Sequence, residues 1–127
     1  MICLDSSFLV DYLEGVEATR SFLSDNEHRP FFAPTVVLYE LYRGAARSSG
    51  PETVGDLAAD LDWLQPLPFD EATAREAAHV EAELRADGRP VNLGDVLIAG
   101  VCRTNGATLV TRDGHFEHVE DLDVERY

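Results

Sequence analysis

Short apolar runs alternate along the chain with stretches in which apolar residues recur every three or four positions, a pattern that predicts strands and helices by turns. Met1 to Leu4 predicts a strand ending at Asp5-Ser6-Ser7, and Phe8, Leu9, Tyr12 and Leu13 then recur at helical spacing. A second helix is expected over Val16 to Leu23, and Phe31-Phe32-Ala33 reads as a second strand. Pro34-Thr35 starts a helix, proline being tolerated in a first turn, which runs through Val37, Leu38, Leu41 and Ala45 and carries Glu40. Ser48-Ser49-Gly50-Pro51 breaks the chain, and the next helix places Val54, Leu57, Ala58, Leu61 and Leu64 on one face. Leu67-Pro68-Phe69 is expected as a short edge strand, since proline cannot donate to a ladder.

Asp70 is an N-cap for a helix that turns Ala77, Val80 and Leu84 inward and closes at Gly88. Gly94-Asp95 opens a helix whose Val96 to Cys102 segment is apolar on all sides, so it is expected to be the most buried helix, closed by Gly106. Thr108 to Thr111 predicts a strand ending at Arg112-Asp113-Gly114, and Val119 to Val124 a last short strand. Strands alternating with helices imply an α/β fold with a central, mostly parallel sheet and helices on both faces.

The chain has 127 residues, 45% apolar and 27% charged, which suits one domain with a real core. Its 24 acids against 10 bases leave a net charge of -14, and every base is arginine. A lysine-free acidic surface predicts a protein kept soluble and stable in concentrated salt, as in a halophile, where the Debye length shrinks to about 3 Å at 1 M. The same balance argues against non-specific binding to nucleic acid, so any such function must come from a local site. No apolar run approaches a membrane span, and the first residues lack the basic start of a signal peptide, so a cytoplasmic protein is expected. Cys3 and Cys102 lie in apolar surroundings without metal or disulfide spacing and are expected as buried thiols.

Four carboxylates fall where an α/β sheet presents residues to ligand: Asp5 past the first strand, Glu40 on the helix after the second, Asp95 at the start of the most buried helix, and Asp113 past a later strand. Each has a plainer role available. Asp5 suits a helix cap, Asp95 a helix N-terminus, Asp113 a turn, and Glu40 a pair with Arg43 or a solvated face. Their joint placement carries the inference. Carboxylates brought close together raise one another's pKa, so they are either protonated or gathered around a cation. Hard oxygen donors point to Mg2+ or Mn2+.

Four segments then carry a resemblance that runs over nearly the full length: Leu4-Asp5-Ser6-Ser7-Phe8, Val37 to Gly44, Leu93 to Ala99, and Leu109 to Phe116. In their order and spacing the chain resembles a PIN-domain ribonuclease of the VapC toxin type. The resemblance implies a three-layer PIN-like fold, with residues 1–127 as a single PIN domain. It also implies a metal-dependent endoribonuclease in which Asp5, Glu40, Asp95 and Asp113 form the catalytic metal site and a hydroxyl of Ser7 or Thr111 orients water or metal. In-line attack by water leaving a 5'-phosphate and a 3'-hydroxyl, a cognate VapB-type antitoxin with an arginine for the acidic pocket, and a homodimer are further implications. The alternative is a PIN-like module that binds RNA or protein without turnover. A phosphorylated receiver domain would need a lysine, and a phosphatase with an Asp-x-Asp signature would need an acid at Ser7; the chain has neither.

The remaining polar residues are read as follows. His115 and His118 lack further nitrogen or sulfur partners for zinc and are expected on the solvated surface. Arg43, Arg47 and Arg112 serve either substrate phosphates or salt bridges, and Tyr12, Tyr39 and Tyr42 either an interface or the core.

Overall fold

The computed structural model describes residues 1–127. In chain order the elements are β1 (Ile2–Leu4), α1 (Ser6–Leu13), α2 (Glu17–Asp25), β2 (Phe31–Pro34), α3 (Thr35–Ser49), α4 (Thr53–Asp60), β3 (Leu64–Leu67), α5 (Glu71–Ala86), α6 (Leu93–Asn105), β4 (Thr108–Thr111), a 3-10 turn (Gly114–His118) and β5 (Asp123–Arg126). The strands form one sheet in the order β3-β2-β1-β4-β5, and every neighbouring pair is parallel. Each parallel neighbour needs a crossover, and the six helices supply the cover.

The central strand β1 is buried along its whole length, Ile2, Cys3 and Leu4 alike, which requires apolar cover on both faces of the sheet. Phe8, Leu9, Val37, Val101, Cys102, Leu109 and Val110 complete that core without exposure. Phe8 stands edge-on to Phe22 and Tyr127, at centroid distances of 5.7 and 4.8 Å, so the end of the chain closes over α1 and α2. Both cysteines are buried and free.

α6 is the helix most enclosed, with Val96, Ile98, Ala99, Gly100, Val101 and Cys102 buried. It starts at Leu93, capped by the Asn92 side chain, rather than at Gly94. Its tight partner is α5. A Cβ on Gly100 would lie 2.8 Å from the Ala77 Cβ and 2.9 Å from the Ala77 backbone, so the crossing tolerates no side chain there. Arg103 clamps the same pair of helices by reaching Glu76 at 2.5 Å and Glu83 at 2.6 Å. Asp70 and Thr73 form a reciprocal capping box at the start of α5.

Two expectations shift. Leu64 belongs to β3 and not to the preceding helix, which ends at Asp60; β3 therefore runs over Leu64–Leu67 instead of Leu67-Pro68-Phe69. Pairing with β2, Phe31 to Leu64 and Pro34 to Leu67, outweighs the helical spacing, and Leu61 and Leu64 are both buried from a turn and a strand. The last strand is Asp123–Arg126 and not Val119 to Val124. Val119 instead plugs a second apolar cluster with Val80, Leu84 and Val96, and Asp121 turns the chain at φ 55° before β5 begins. β5 lies at the sheet edge and is largely exposed, so its pattern carries no apolar alternation.

Candidate active site

The register of the sheet builds the site. Leu4 pairs with Val110, so the next residues of the two strands, Asp5 and Thr111, meet side by side at the carboxyl ends. Asp5 is 3% exposed. Its Oδ1 accepts from the Phe8 backbone N–H at 3.0 Å, capping α1, and from the Ser7 hydroxyl at 2.7 Å. Its Oδ2 accepts from the Thr111 hydroxyl. The cap and the site position are thus one and the same residue. Burial pushes the Asp5 carboxyl above its usual range, the three hydrogen bonds pull it back, and Asp113 nearby adds to the rise.

Glu40 comes from the second turn of α3, which follows β2 without a loop. Its Oε1 accepts from the Ser6 hydroxyl at 2.7 Å, next to Asp5 in sequence, and no arginine pairs with it. On its other side lies α6: a Cβ on Gly94 would stand 3.1 Å from the Glu40 Oε2. Glycine at this position lets the glutamate approach the helix start.

Asp95 lies in the first turn of α6, two residues inside the helix. Its pKa is pushed up to about 6, first by burial, then by the charge of Asp113, with Glu40 and Asp5 adding and His115 opposing. A carboxyl that senses three other carboxylates is the electrostatic mark of a shared site. Asp113 follows β4 and starts the 3-10 turn, its Oδ1 accepting from the His115 N–H at 2.9 Å. The Asp113 N–H in turn donates to Thr111 Oγ1 at 2.9 Å, which ties the turn to the buried strand end.

Of the four acids named from sequence, Asp95 and Asp113 come close together, with His115, while Glu40 and Asp5 lie near enough for their charges to act on Asp95. One residue there was assigned elsewhere. His115 is exposed, as expected of a surface histidine, yet its Nδ1 lies 3.2 Å from the Asp113 Oδ1, and single donor atoms of Asp95, Asp113 and His115 lie within 4.8 Å of one another. The signal was its position two residues beyond an aspartate at a strand end. Ser6 was also passed over, although it is the hydroxyl that holds Glu40. Ser7 and Thr111 act together on Asp5 rather than as alternatives. Arg112 pairs with Asp11 at 3.0 Å, the salt-bridge reading of that residue. Tyr39 is exposed on α3, while Tyr12 and Tyr42 pack partly buried against the core.

The donor set suits a hard divalent cation: carboxylate oxygens predominate, one imidazole nitrogen stands beside them, and the group contains no cysteine. Opposite charge would also relieve the repulsion that raises Asp95.

A parallel sheet with a carboxylate cluster outside the carboxyl ends of its strands defines a class of α/β domain in which ligand is met at that edge. Residues 2–122 match the PIN domain family. Over 93 residues, 72% of this chain and 70% of the other, the sequence is 36% identical to the tRNA(fMet)-specific endonuclease VapC of Shigella flexneri. It is 29% identical over 113 residues, 87% of each chain, to ribonuclease VapC4 of Mycobacterium tuberculosis. The toxin-like chain in the crystal structure of DNA-bound VapBC from Salmonella typhimurium superposes with a TM-score of 0.88 at 27% identity, covering 99% of this chain and 98% of that one. The chain belongs to the PIN-domain family and, within it, to the VapC ribonucleases.

Proposed function

We propose that this protein is the toxin of a toxin-antitoxin pair, an endoribonuclease that hydrolyses RNA phosphodiester bonds at the acidic cluster with Mg2+ or Mn2+ as cofactor. The observation that supports this most directly is the close grouping of Asp95, Asp113 and His115, with Glu40 and Asp5, from two further segments, near enough for their charges to raise the Asp95 carboxyl. In this reading those four residues hold the cation. A bound divalent cation would neutralise the phosphodiester oxygens and acidify water.

The chain's own groups do the rest. Ser7 and Thr111 fix the buried Asp5 carboxylate with both oxygens occupied by donors, so it keeps one orientation. Ser6 does the same for Glu40. Asp95 keeps its proton up to about pH 6, well above an ordinary carboxyl, and would serve as a cation ligand in its ionised form. His115 contributes a positive or hydrogen-bonding edge beside Asp113, at the exposed rim where an anionic chain would approach.

A VapB-type antitoxin is the partner we infer, because the VapBC assembly from Salmonella typhimurium contains a chain of this fold. An antitoxin arginine placed among these acids would be bound by the same charge that attracts the cation. No helix is long and apolar enough to cross a membrane.

The test is cleavage of RNA by the purified protein. Turnover is expected with Mg2+ or Mn2+, with loss on chelation and in Asp5→Asn, and with products carrying a 5'-phosphate and a 3'-hydroxyl. RNA binding without any cleavage under these conditions would instead establish a module without turnover.

A further inference from the structure

A cavity of about 300 Å³ opens beside the acidic cluster and shares two of its residues, Asp95 and His115. It lies between the C-terminal end of α5, the start of α6 and the 3-10 turn. Its floor is apolar, built from Leu84, Val96, Phe116 and Val119, which are buried, and Val91 and Pro90 continue the wall. Polar groups stand on the rim: Arg89, Asn92, His115 and His118.

Five of the ten arginines, Arg75, Arg85, Arg103, Arg112 and Arg126, are tied into ion pairs with acids; Arg89 is one of the five that are not, and it is the one that stands beside the acidic cluster at this cavity. Asn92 spends its Oδ1 on the Asp95 N–H, which leaves its amide donors free. In a chain of net charge -14, the edge of this cavity carries an unpaired guanidinium, free amide donors and two imidazoles, with the Asp95 carboxylate on the side shared with the acidic cluster.

We infer that this cavity seats the nucleobase adjoining the cleaved phosphate, and that it selects guanine. The inference rests on the ribonuclease reading above. A small cavity with apolar walls and few convergent polar groups is the usual form of a site for a compact planar ligand. Single-stranded RNA is read through unstacked bases that lie against aromatic, histidine or arginine planes, and the exposed His118 ring offers such a surface. Away from Asp95, the rim offers the donors of Arg89 and Asn92. Guanine presents two adjacent acceptors, O6 and N7, that match the two parallel donors of a guanidinium. Because Asp95 and His115 belong to both places, a phosphate at the acids leaves its neighbouring base at the cavity mouth.

The experiment digests a randomised RNA pool with the protein in Mn2+ and sequences the fragment ends. Wild-type protein is expected to cut with guanine enriched at a single position next to the cleaved bond. Arg89→Ala removes an exposed, unpaired side chain and threatens no folding contact, and it should reduce that enrichment at least tenfold while total cleavage of the pool falls far less. Val91→Trp fills the cavity and should flatten the preference at the same position. Cleavage by the wild type with no guanine enrichment there, or enrichment that survives both substitutions, overturns the cavity's role and leaves the nuclease reading standing. Absence of any cleavage by the wild type overturns both.

Discussion

Thr111 donates its hydroxyl to the Oδ2 of Asp5 over 2.5 Å, joining the ends of two adjacent strands across 106 residues of sequence. The Thr111 Oγ1 in turn accepts the Asp113 N–H, so one threonine orients a buried carboxylate and the turn that carries another. Thr111→Val keeps the shape and removes the hydrogen bonds. It leaves Asp5 Oδ2 buried without a donor, at a cost of about 1–3 kcal/mol. It also lifts the Asp5 carboxyl further, since the Thr111 bond is what most opposes burial. Denaturant unfolding should show the loss, and the acid limb of the cleavage profile should move to higher pH. Thr111→Ser should restore both; a Val variant with unchanged stability and profile would refute this role.

Asp95 sets a pH dependence of the cation-free protein. Its folded pKa of about 6 lies above the 3.8 of an ordinary aspartate, so between these two pH values the folded state binds more protons than the unfolded chain. Stability from this group is present below that window and is lost as pH rises through it. Thermal melts in a chelator should show the midpoint falling across this range, and Asp95→Asn should flatten the fall. At pH 7, Mn2+ at about a hundred times its dissociation constant should add about 2.7 kcal/mol to the wild type. A melt indifferent to both pH and Mn2+ would count against a shared acidic site.

Gly94 decides how closely Glu40 approaches α6. In Gly94→Ala the new Cβ would meet the Glu40 Oε2 at 3.1 Å, and the flexible carboxylate must give by a few tenths of an ångström. Alanine is the better helix former by about 1 kcal/mol, so stability should hold or rise. Cleavage should nonetheless drop by roughly tenfold, because misplacement of about 1 Å at a reacting centre can cost a hundredfold. Stability and turnover moving together would remove the argument.

The charge excess predicts a response to salt. Side chains of one sign repel across the surface, and screening at about 3 Å in 1 M salt removes that penalty. The melting temperature should climb between about 0.1 and about 3 M KCl, the range over which screening sets in. Equal melting temperatures at both ends would show that the acidic coat is balanced locally, as Arg103 already is by Glu76 and Glu83.

Much of the fold was legible because burial in this chain is strongly patterned. β1, the α6 core from Val96 to Cys102 and β4 read as apolar runs, and all three lie at the centre of the molecule. The misreadings, at Leu64 and at Val119 to Val124, fall on the two edge strands. An edge strand is defined by its single neighbour and not by its own alternation, so local periodicity misplaces it.

The site divides the same way. The residue types and their positions after strands or at helix starts are properties of sequence, and they sufficed to single out Asp5, Glu40, Asp95 and Asp113. Hydroxyl partnerships and the place of His115 were not available there. The Ser6 bond to Glu40 spans 34 positions, and the His115 ring joins Asp95 only once α6 and the 3-10 turn are brought together. Sequence by itself determined which groups this protein has to spend and that its sheet is parallel, since periodicity and charge are local. Only the tertiary structure decided which oxygens face one another and that a cavity opens beside them, because distance between remote residues is set by strand register and helix packing.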